Sequence, residues 1–361
     1  STSEVAANLV ATISLSGTSS QIVTVNYATS DGTATAGDDY TAISAPPLTF
    51  NPGDLTKTVN IAILSDTTDE DDETFTLTLS SPDNATISTT AGSATMTIVD
   101  DDPAPTISIS DNSSGESGSG NLVASLSAAS EKTITIDYAT SDGTATAGDD
   151  YTAVSTTTLT FSPGDTSKNI PITVASDNID EVDETVIVTL SNPSNVTVSD
   201  GSGELTITDD DNAPTISIAD ATIPNETAVP RSITLSLSSA STQTVEVDYA
   251  TSDGTATAIN DYVATSGTVT FNPGMTSQTI AVTMVQDNLA EIDETFNIDL
   301  SNPVNATISD NQSVVTITDD EGIPELSVAD VSTSNEAATN LVATVSLSGT
   351  SSQIVTVDYA T

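Results

Sequence analysis

One segment recurs along the chain and fixes its organisation. It reads YATSDGTATAGDDY at 27–40 and 138–151, and it returns as YATSDGTATAINDY at 249–262. The last three residues, 359–361, begin a fourth copy. The tyrosines that open the four copies are 111, 111 and 110 residues apart. Because solenoid units are only about 20–50 residues long, this period indicates one autonomous domain per repeat.

Short segments that contain proline join the repeats. The junctions read IVDDDPAPTISI at 98–109, ITDDDNAPTISI at 207–218 and ITDDEGIPELSV at 317–328. Proline makes such a link stiff, so we expect the array to behave as a jointed rod. The predicted domains are residues 1–103, which lack a first strand, then 104–212 and 213–322. Residues 323–361 are predicted to be the N-terminal part of a fourth domain.

Inside each repeat, apolar and polar residues alternate. The runs VNIAI at 59–63 and FTLTL at 75–79 are examples, and Asp-Gly and Pro-Gly turns separate such runs. A period of two indicates half-buried strands. About seven strands per repeat predict an all-β chain of immunoglobulin-like β-sandwiches placed end to end. Pro171 predicts an edge strand or a bulge, and the phenylalanines before the Pro-Gly turns, Phe50, Phe161 and Phe271, are predicted to lie in the core.

The composition excludes several classes of protein. Without cysteine or histidine, the chain cannot form disulfides, thiolate metal sites or a Ser-His-Asp triad. It carries 52 Asp and Glu against four Lys and Arg, for a net charge of −48. Nucleic acids and anionic membranes would be repelled, whereas cations would be attracted. The sequence contains no apolar run of about 18 residues, so it does not predict membrane insertion. The chain begins without a leader, so we expect that its ends are not natural termini.

Carboxylates recur at the same places in each repeat, many of them at strand ends. Loops distant in sequence meet at the poles of a sandwich, where unit charges 4 Å apart repel by about 1 kcal/mol even in water. Calcium, which takes six to eight oxygen ligands, is the predicted counter-ion, because softer metals prefer the missing His and Cys. The candidate ligands are Glu4, Asp39, Asp66, Glu70, Asp100, Asp101, Asp102, Glu116, Asp150, Asp177, Glu181, Asp209, Asp210, Asp211, Glu226, Asp261, Asp287, Glu291, Asp319, Asp320 and Glu321. Glu336 begins the set again in the fourth repeat.

Taken together, these motifs resemble the Calx-beta domain. The resemblance rests on YATSDGTATAGDDY, F-x-PGD, the DNxxExDET loop and the terminal DDD, and it covers essentially the whole chain. That family occurs in the regulatory loop of sodium–calcium exchangers and in tandem arrays of large bacterial surface and secreted proteins. It implies a seven-stranded sandwich that binds calcium at the pole with the terminal acidic run. Family ligands map onto the first-strand Glu, the second Asp of DDY, the Asp and Glu of DxxxE and the terminal triplet. Asn260 and Glu321 depart from the pattern in the third repeat.

The two ends of the chain are alike. SLSGTSSQIVTV is identical at 14–25 and 346–357. One explanation is that the chain is a window on a giant filamentous protein. The other is strand donation, in which the segment from Pro324 completes the open first domain of another copy. Six Asn-x-Ser/Thr triplets are compatible with attached glycan, at Asn84, Asn112, Asn195, Asn225, Asn305 and Asn311.

The predicted function is structural. Equivalent acidic sites without a unique pair argue against an enzyme. We expect a calcium-stiffened repeat region of a giant secreted or surface-attached bacterial filament or adhesin, which extends a tip or forms a biofilm matrix fibre. Its predicted partners are calcium ions and neighbouring modules or copies of itself, without nucleic acid or membrane insertion. The alternatives are a calcium-sensing regulatory module and a filament subunit that assembles head to tail by strand donation.

Overall fold

The structure is a computed structural model that describes residues 1–44, 46–334, 337 and 339–361. Every regular element in these ranges is a β-strand, which confirms the all-β prediction. Within the same ranges, no helix has the length and apolarity needed to cross a membrane. The chain forms two compact units, Ser1–Ala175 with Glu184–Ile207, and Ser176–Asp183 with Thr208–Thr361. Since the division passes through the second repeat, the predicted domain boundaries stay predictions.

The first repeat contributes seven strands to the first unit. They are β1 (Thr2–Ser3), β2 (Asn8–Ser14), β3 (Val23–Asp31), β4 (Leu48–Phe50), β5 (Thr56–Ala62), β6 (Glu73–Asp83) and β7 (Ser93–Val99). Five strands form a sheet in the order β1-β7-β6-β3-β4, and β2 pairs with β5. Side chains from both sheets interdigitate in one core cluster, whose largest members are Tyr40, Phe50 and Phe75. This is the sandwich architecture that the alternating pattern predicts.

The second repeat shows nine strand segments in place of the seven expected. They are β8 (Thr106–Ile109), β9 (Asn112–Gly115), β10 (Ser119–Leu126), β11 (Ile134–Asp142), β12 (Thr157–Phe161), β13 (Ser167–Thr173), β14 (Glu184–Ser194), β15 (Thr197–Asp200) and β16 (Ser202–Thr208). The sheets run β13-β10-β8-β15 and β12-β11-β14-β16-β9. The count rises because the leading segment is split, with β8 in one sheet and β9 in the other, and because the short strand β15 pairs with β8. Pro171 lies in the edge strand β13, as predicted.

The third repeat and the residues that follow it lie in the second unit. Their strands are β17 (Thr215–Ile218), β18 (Ala221–Ile223), β19 (Pro230–Leu237), β20 (Val245–Asp253), β21 (Ser266–Phe271), β22 (Ser277–Thr283), β23 (Leu289–Ala290), β24 (Glu294–Val304), β25 (Thr307–Ile308), β26 (Gln312–Ile317), β27 (Leu326–Val328), β28 (Val345–Leu347) and β29 (Thr350–Ser351). Two sheets, β22-β19-β17-β25 and β18-β26-β24-β20-β21, repeat the second repeat's topology. β27 pairs with β28, and β29 pairs with β23.

The predicted core phenylalanines are buried in every repeat. Phe50, Phe161 and Phe271 are each 1% exposed. Each closes a short strand that pairs with the first residue of the long strand before it, at Val23, Ile134 and Val245. These contacts confirm that the three rings belong to the core.

The first sandwich has an open edge among its described residues. β2 pairs only with β5, whereas its counterparts β10 and β19 also pair with β8 and β17. Two adjoining cavities of about 470 Å³ each lie beside β2. Their apolar lining includes Leu9, Ala11, Ile13, Leu77, Leu79 and Met96. Strand donation into this groove stays a prediction.

An asparagine at one repeated loop position has a structural role. Asn84, Asn195 and Asn305 all adopt a positive φ, between 53° and 59°. Each Nδ2 donates a hydrogen bond of 3.0 Å to the backbone oxygen of Ile22, Thr133 or Thr244, respectively. Asparagine tolerates the left-handed region better than most residues. This role accounts for the recurrence of these triplets without a glycan, and glycan attachment stays a prediction.

Candidate metal centre

The repeated tyrosine segment presents an aspartate at one pole of the sandwich. In the first repeat, the Tyr40 hydroxyl donates to Asp31 Oδ1 at 2.7 Å, and that oxygen also accepts the Ala36 N–H. Asp39 precedes this buried tyrosine, and its Oδ2 accepts the Thr35 N–H at 2.5 Å. The same bond recurs at Asp150 and Asp261, at 2.6 Å. One carboxylate oxygen is thus held by the backbone, which fixes the direction of the other.

A second loop carries the Asp and Glu of the DxxxE pattern. Asp66 Oδ1 accepts the N–H of Thr68, two residues on. Asp177 and Asp287 make the equivalent bond. This is the Asx-turn, in which a short carboxylate side chain folds back on its own backbone. The sequence pattern therefore produces the same loop in all three repeats.

The first repeat gathers two groups of three carboxylates. One consists of Glu4, Asp66 and Asp102, and the other of Asp39, Glu70 and Glu73. In each group, one oxygen per residue lies within 4.8 Å of the others. Calcium holds its oxygens at about 2.3–2.6 Å, so two ligands of one ion are separated by at most about 5 Å. Each of the two groups is therefore compact enough to hold one calcium ion.

Glu4 supplies the strongest sign that its group binds a cation. Its side chain is 5% exposed, and its Oε2 atom is buried without a hydrogen-bond partner among the described residues. A buried, unsatisfied carboxylate oxygen costs free energy unless a cation or a donor reaches it. The pKa of Glu4 is raised to about 7, first by burial and then by the charges of Asp66 and Asp100.

The third repeat builds the same arrangement within the second unit. Glu226, Asp319 and Glu321 form one group, in which Glu321 Oε2 is buried and unpartnered among the described residues. Burial, followed by the charge of Glu321, raises the pKa of Glu226 to about 7. A separate cleft of about 520 Å³ is lined by carboxylates from both loops, Asp261, Asp287, Glu291 and Glu294. The departure to Glu321 therefore keeps a carboxylate in the group.

The second repeat is described on either side of the division between the units. In the first unit, Glu116 is 6% exposed, and Asp150 is held by Thr146 as described above. In the second unit, the Glu181 N–H donates to Asp209 Oδ1 at 3.2 Å, and Asp211 Oδ2 is buried without a partner among the described residues. Burial first, and then the charges of Asp209 and Asp210, raise the pKa of Asp211. Asp177 is exposed in the second unit.

Some predicted ligands have other roles or lie at the surface. Asp100 Oδ2 lies 3.4 Å from Lys132 Nζ, in an ion pair with the next repeat. Asp101, Asp210 and Asp320 are exposed. Asp319 Oδ1 accepts the Glu291 N–H at 3.1 Å, which ties the terminal run to the DxxxE loop. The prediction for Glu336 lies outside the described residues.

The sequence prediction missed one glutamate that belongs to the site. Glu73 begins β6 and completes the group with Asp39 and Glu70. Burial, followed by a hydrogen bond and repulsion from Asp39, raises the pKa of Glu73 to about 7. Its counterparts Glu184 and Glu294 begin β14 and β24. The signal was present, because every DxxxE loop is followed by Glu-Thr at the same spacing.

The DxxxE loop also contacts the repeat that follows it. Between Asp66 and Glu70, Asp69 is 4% exposed and accepts a 2.6 Å hydrogen bond from the Ser130 hydroxyl. Lys132 Nζ lies 2.8 Å from the other oxygen of Asp69. In the second unit, Asp180 accepts an identical 2.6 Å bond from Ser241. We call the Asp69–Ser130 and Asp180–Ser241 contacts the joint clasps.

The family comparison agrees with this geometry. A family model described as the Calx-beta domain matches residues 2–102, 112–211 and 209–321. The chain belongs to the Calx-beta family. This confirms the resemblance seen in the sequence, and the predicted metal, calcium, agrees with both the family and the carboxylate groups.

Related proteins include sodium/calcium exchangers. Sodium/calcium exchanger 2 of Mus musculus is 33% identical over 190 residues, which cover 47% of this chain and 20% of the exchanger. Sodium/calcium exchanger 1 of Canis lupus familiaris is 51% identical over 61 residues, which cover 17% of this chain and 6% of the exchanger. The match therefore takes in only a small part of each exchanger.

The solved structures that resemble this chain include tandem domains. The crystal structure of CBD12 from CALX1.2 is 20% identical and has a TM-score of 0.29, and the match covers 59% of this chain and 99% of that one. The apo-form Calx CBD1 domain is 25% identical with a TM-score of 0.28, over 30% of this chain and 100% of that one.

Proposed function

We propose that this chain is a calcium-binding structural repeat region of a secreted or surface-attached bacterial protein, and that calcium stiffens the joints between its repeats. One observation carries the proposal. The loop that supplies Asp66 and Glu70 to the carboxylate groups also supplies Asp69 to the joint clasp. A cation that orders this loop therefore acts on the joint as well.

The charge of the pole makes the loop sensitive to calcium. Repulsion from Glu131, Asp66 and Glu4 adds to burial in raising the pKa of Glu70. Without a cation, this repulsion favours conformations in which the loop moves apart. Bound calcium replaces repulsion with shared coordination, so the loop holds Asp69 in position for Ser130. The stiffness of the joint thus depends on the ion.

The proposed location and role rest on composition and repetition. A chain with no cysteine, a net charge of −48 and near-identical repeats suits an array that is exposed to surroundings rich in calcium. The role that we propose is to extend an adhesive tip or to form a matrix fibre, with calcium and neighbouring modules or copies as partners. The role is non-catalytic, since equivalent carboxylate groups serve one binding task in each repeat.

Thermal melting and small-angle scattering of the whole chain test this proposal. We expect calcium to raise the melting temperature over EDTA by many degrees and to saturate at several ions per chain. We also expect calcium to change the scattering profile toward a stiffer particle. Asp66→Asn should reduce both effects, whereas Asp38→Asn, at an exposed aspartate outside the candidate ligands, is the matched control. Superimposable profiles and melting curves in EDTA and calcium would remove the proposal.

The exchanger relatives favour a second candidate, a calcium-sensing regulatory module. The supporting observation is the 33% identity with sodium/calcium exchanger 2 over 190 residues. Affinity separates the candidates, because sensors bind calcium at about 10⁻⁷–10⁻⁵ M and extracellular modules at about 10⁻⁴–10⁻³ M. Calorimetric titration of the whole chain measures it, and a micromolar dissociation constant would favour the regulatory role.

A further inference from the structure

A buried aromatic pair lies beneath the acidic pole in two of the three repeats. In the first repeat, the rings of Tyr40 and Phe75 stack with centroids 4.1 Å apart and planes 10° from parallel. In the third repeat, Tyr262 and Phe296 stack at 4.3 Å and 15°. All four side chains are at most 1% exposed. We call these two contacts the aromatic pairs.

Each aromatic pair belongs to a closed set of contacts. The Tyr40 hydroxyl bonds to Asp31 Oδ1 at 2.7 Å. Asp31 is also the direct cross-strand partner of Phe75 between β3 and β6. Each of the three residues Tyr40, Phe75 and Asp31 is thus paired with the other two. In the third repeat, Tyr262, Phe296 and Asp253 make the same three contacts.

The aromatic pairs are joined by short lengths of chain to carboxylates of the candidate site. Asp39 directly precedes Tyr40, and Glu73 lies two residues before Phe75 on the same strand. Asp39 and Glu73 belong to the same carboxylate group. The stack therefore links the two segments that must approach each other for one ion to bind both residues.

The second repeat lacks the pair and so provides a natural comparison. Tyr151 keeps its bond to Asp142, at 2.8 Å, but Val186 stands where the other repeats have phenylalanine. Both side chains lie in the core, Tyr151 at 1% and Val186 at 0% exposure. A β-branched aliphatic side chain cannot reproduce the flat contact of two rings. One oxygen of Asp150 and one of Glu184 still lie within 4.8 Å of each other, but no ring stack holds their segments together, so we expect this spacing to vary more.

We infer that Phe75 and Phe296 are positioning residues for the calcium ligands of the first and third repeats. The second repeat binds calcium more weakly, because it has Val186 at the corresponding position. This inference rests on the proposed function, since it concerns the affinity of the same carboxylates. Groups that orient metal ligands without touching the metal typically contribute about 10- to 100-fold in affinity. We therefore expect the repeats to differ by about tenfold or more.

Calorimetric titration of calcium into the whole chain tests the inference. The wild type should show at least two affinity classes. The double variant Phe75→Val with Phe296→Val should weaken binding at the first and third repeats by about tenfold or more, toward the second. The reciprocal change Val186→Phe should strengthen the second repeat by a similar factor, and it keeps the test open if the double variant does not fold.

Phe50→Val is the matched control. Phe50 is equally buried but pairs with Val23, the first residue of β3, whereas Phe75 pairs with Asp31, the last. It should lower the melting temperature in EDTA without changing the calcium affinity. A purely structural role for Phe75 would lower the melting temperature alone, and unchanged affinities in both designs would overturn the inference. If the wild type binds no calcium at all, the proposed function fails as well.

Discussion

Glu4 and Glu226 occupy the same place in two repeats, and their surroundings raise the pKa of each to about 7 from an ordinary value of 4.5. The folded chain therefore takes up protons that the unfolded chain does not bind between about pH 4.5 and 7. A raised carboxylate pKa contributes stability below the unfolded value, and this contribution is lost as the pH rises through the folded value. These side chains thus make the metal-free protein less stable at neutral pH.

The expected result is a melting temperature in EDTA that falls as the pH rises from 5 to 8. Hydrogen bonds from Thr158 and Asn192 lower the pKa of Asp137. Carboxylates with a lowered pKa change the stability only below about pH 4, outside this window. With calcium present the trend should reverse, because the ligands must lose their protons to bind the ion. A melting temperature in EDTA that is flat or rises with pH would contradict the expectation.

A second residue-scale feature is backbone strain at Ile259. This residue has a φ of 85°, at the position where Gly37 and Gly148 have 105° and 102°. A β-branched side chain in this region costs about 1–3 kcal/mol. Ile259 is 85% exposed, so its side chain gains little from packing.

We expect Ile259→Gly to stabilise the third repeat by about 1 kcal/mol or more, and urea unfolding monitored in EDTA measures the change. The matched change Gly148→Ala places a Cβ at the same strained position and should destabilise the second repeat. Equal stability of Ile259→Gly and the wild type would show that the surrounding loop already absorbs the strain.

At the scale of elements, each DxxxE loop connects a pole to the next repeat. Ser130 is 2% exposed and donates to Asp69 through its hydroxyl, while the Glu131 N–H donates to the Asp69 backbone oxygen at 3.0 Å. In the third repeat's loop, Ala290 stands where the other two loops have this aspartate. The Ser351 hydroxyl of the fourth repeat donates to the backbone oxygen of Ala290 at 3.4 Å. Without the aspartate carboxylate, the side-chain hydrogen bonds described at this joint go to backbone oxygens, from Thr350 to Asn288 and from Ser351 and Ser352 to Ala290.

Removing the Ser130 hydroxyl should therefore loosen the first joint. A hydrogen bond to a charged group contributes about 1.5–3 kcal/mol, so Ser130→Ala should reduce hydrogen-exchange protection of the Glu131 amide by about 10- to 100-fold. Ser19→Ala is the control. Ser19 accepts the Gln21 N–H just as Ser130 accepts the Lys132 N–H, so both variants lose this local bond. If both variants reduced the hydrogen-exchange protection of the amide after the substituted serine by the same factor, the contact with Asp69 would not be stabilising.

For the whole molecule, the dominant property is the net charge of −48. The described ion pairs are few: Lys57, Lys132 and Lys168 pair with nearby aspartates. Self-repulsion of this size destabilises compact states unless ions screen or neutralise it. Calcium neutralises the carboxylate charge at the poles, whereas monovalent salt screens the charge of the whole surface.

We expect the melting temperature in EDTA to rise with sodium chloride between about 0.01 and 0.5 M, because the Debye length falls from about 30 Å to a few ångströms. In saturating calcium the same salt series should have a smaller effect, since the closest repulsive groups are already neutralised. Potassium chloride at equal ionic strength is the control for specific sodium binding. A melting temperature in EDTA that is independent of salt would show that the carboxylates are too well solvated to repel.

Much of this protein follows from its sequence alone. The period of about 110 residues sets the number of domains, and the alternation of apolar residues sets the strands and their buried faces. Every predicted carboxylate position recurs in register, and the lack of histidine and cysteine restricts the metal to one that oxygen binds. These properties are local or periodic, so they can be read without knowing how the sheets pack.

Only the tertiary structure decided which carboxylates meet. It placed Asp102 with Glu4 and Asp66, it directed Asp100 to Lys132, and it added Glu73 to the site. It also showed that Asp69, inside the same acidic loop, bonds to the next repeat. The reason is physical: these pairs are about 30 to 100 residues apart in sequence, and their distances depend on how two sheets pack and where each loop turns. No period in the chain encodes that distance.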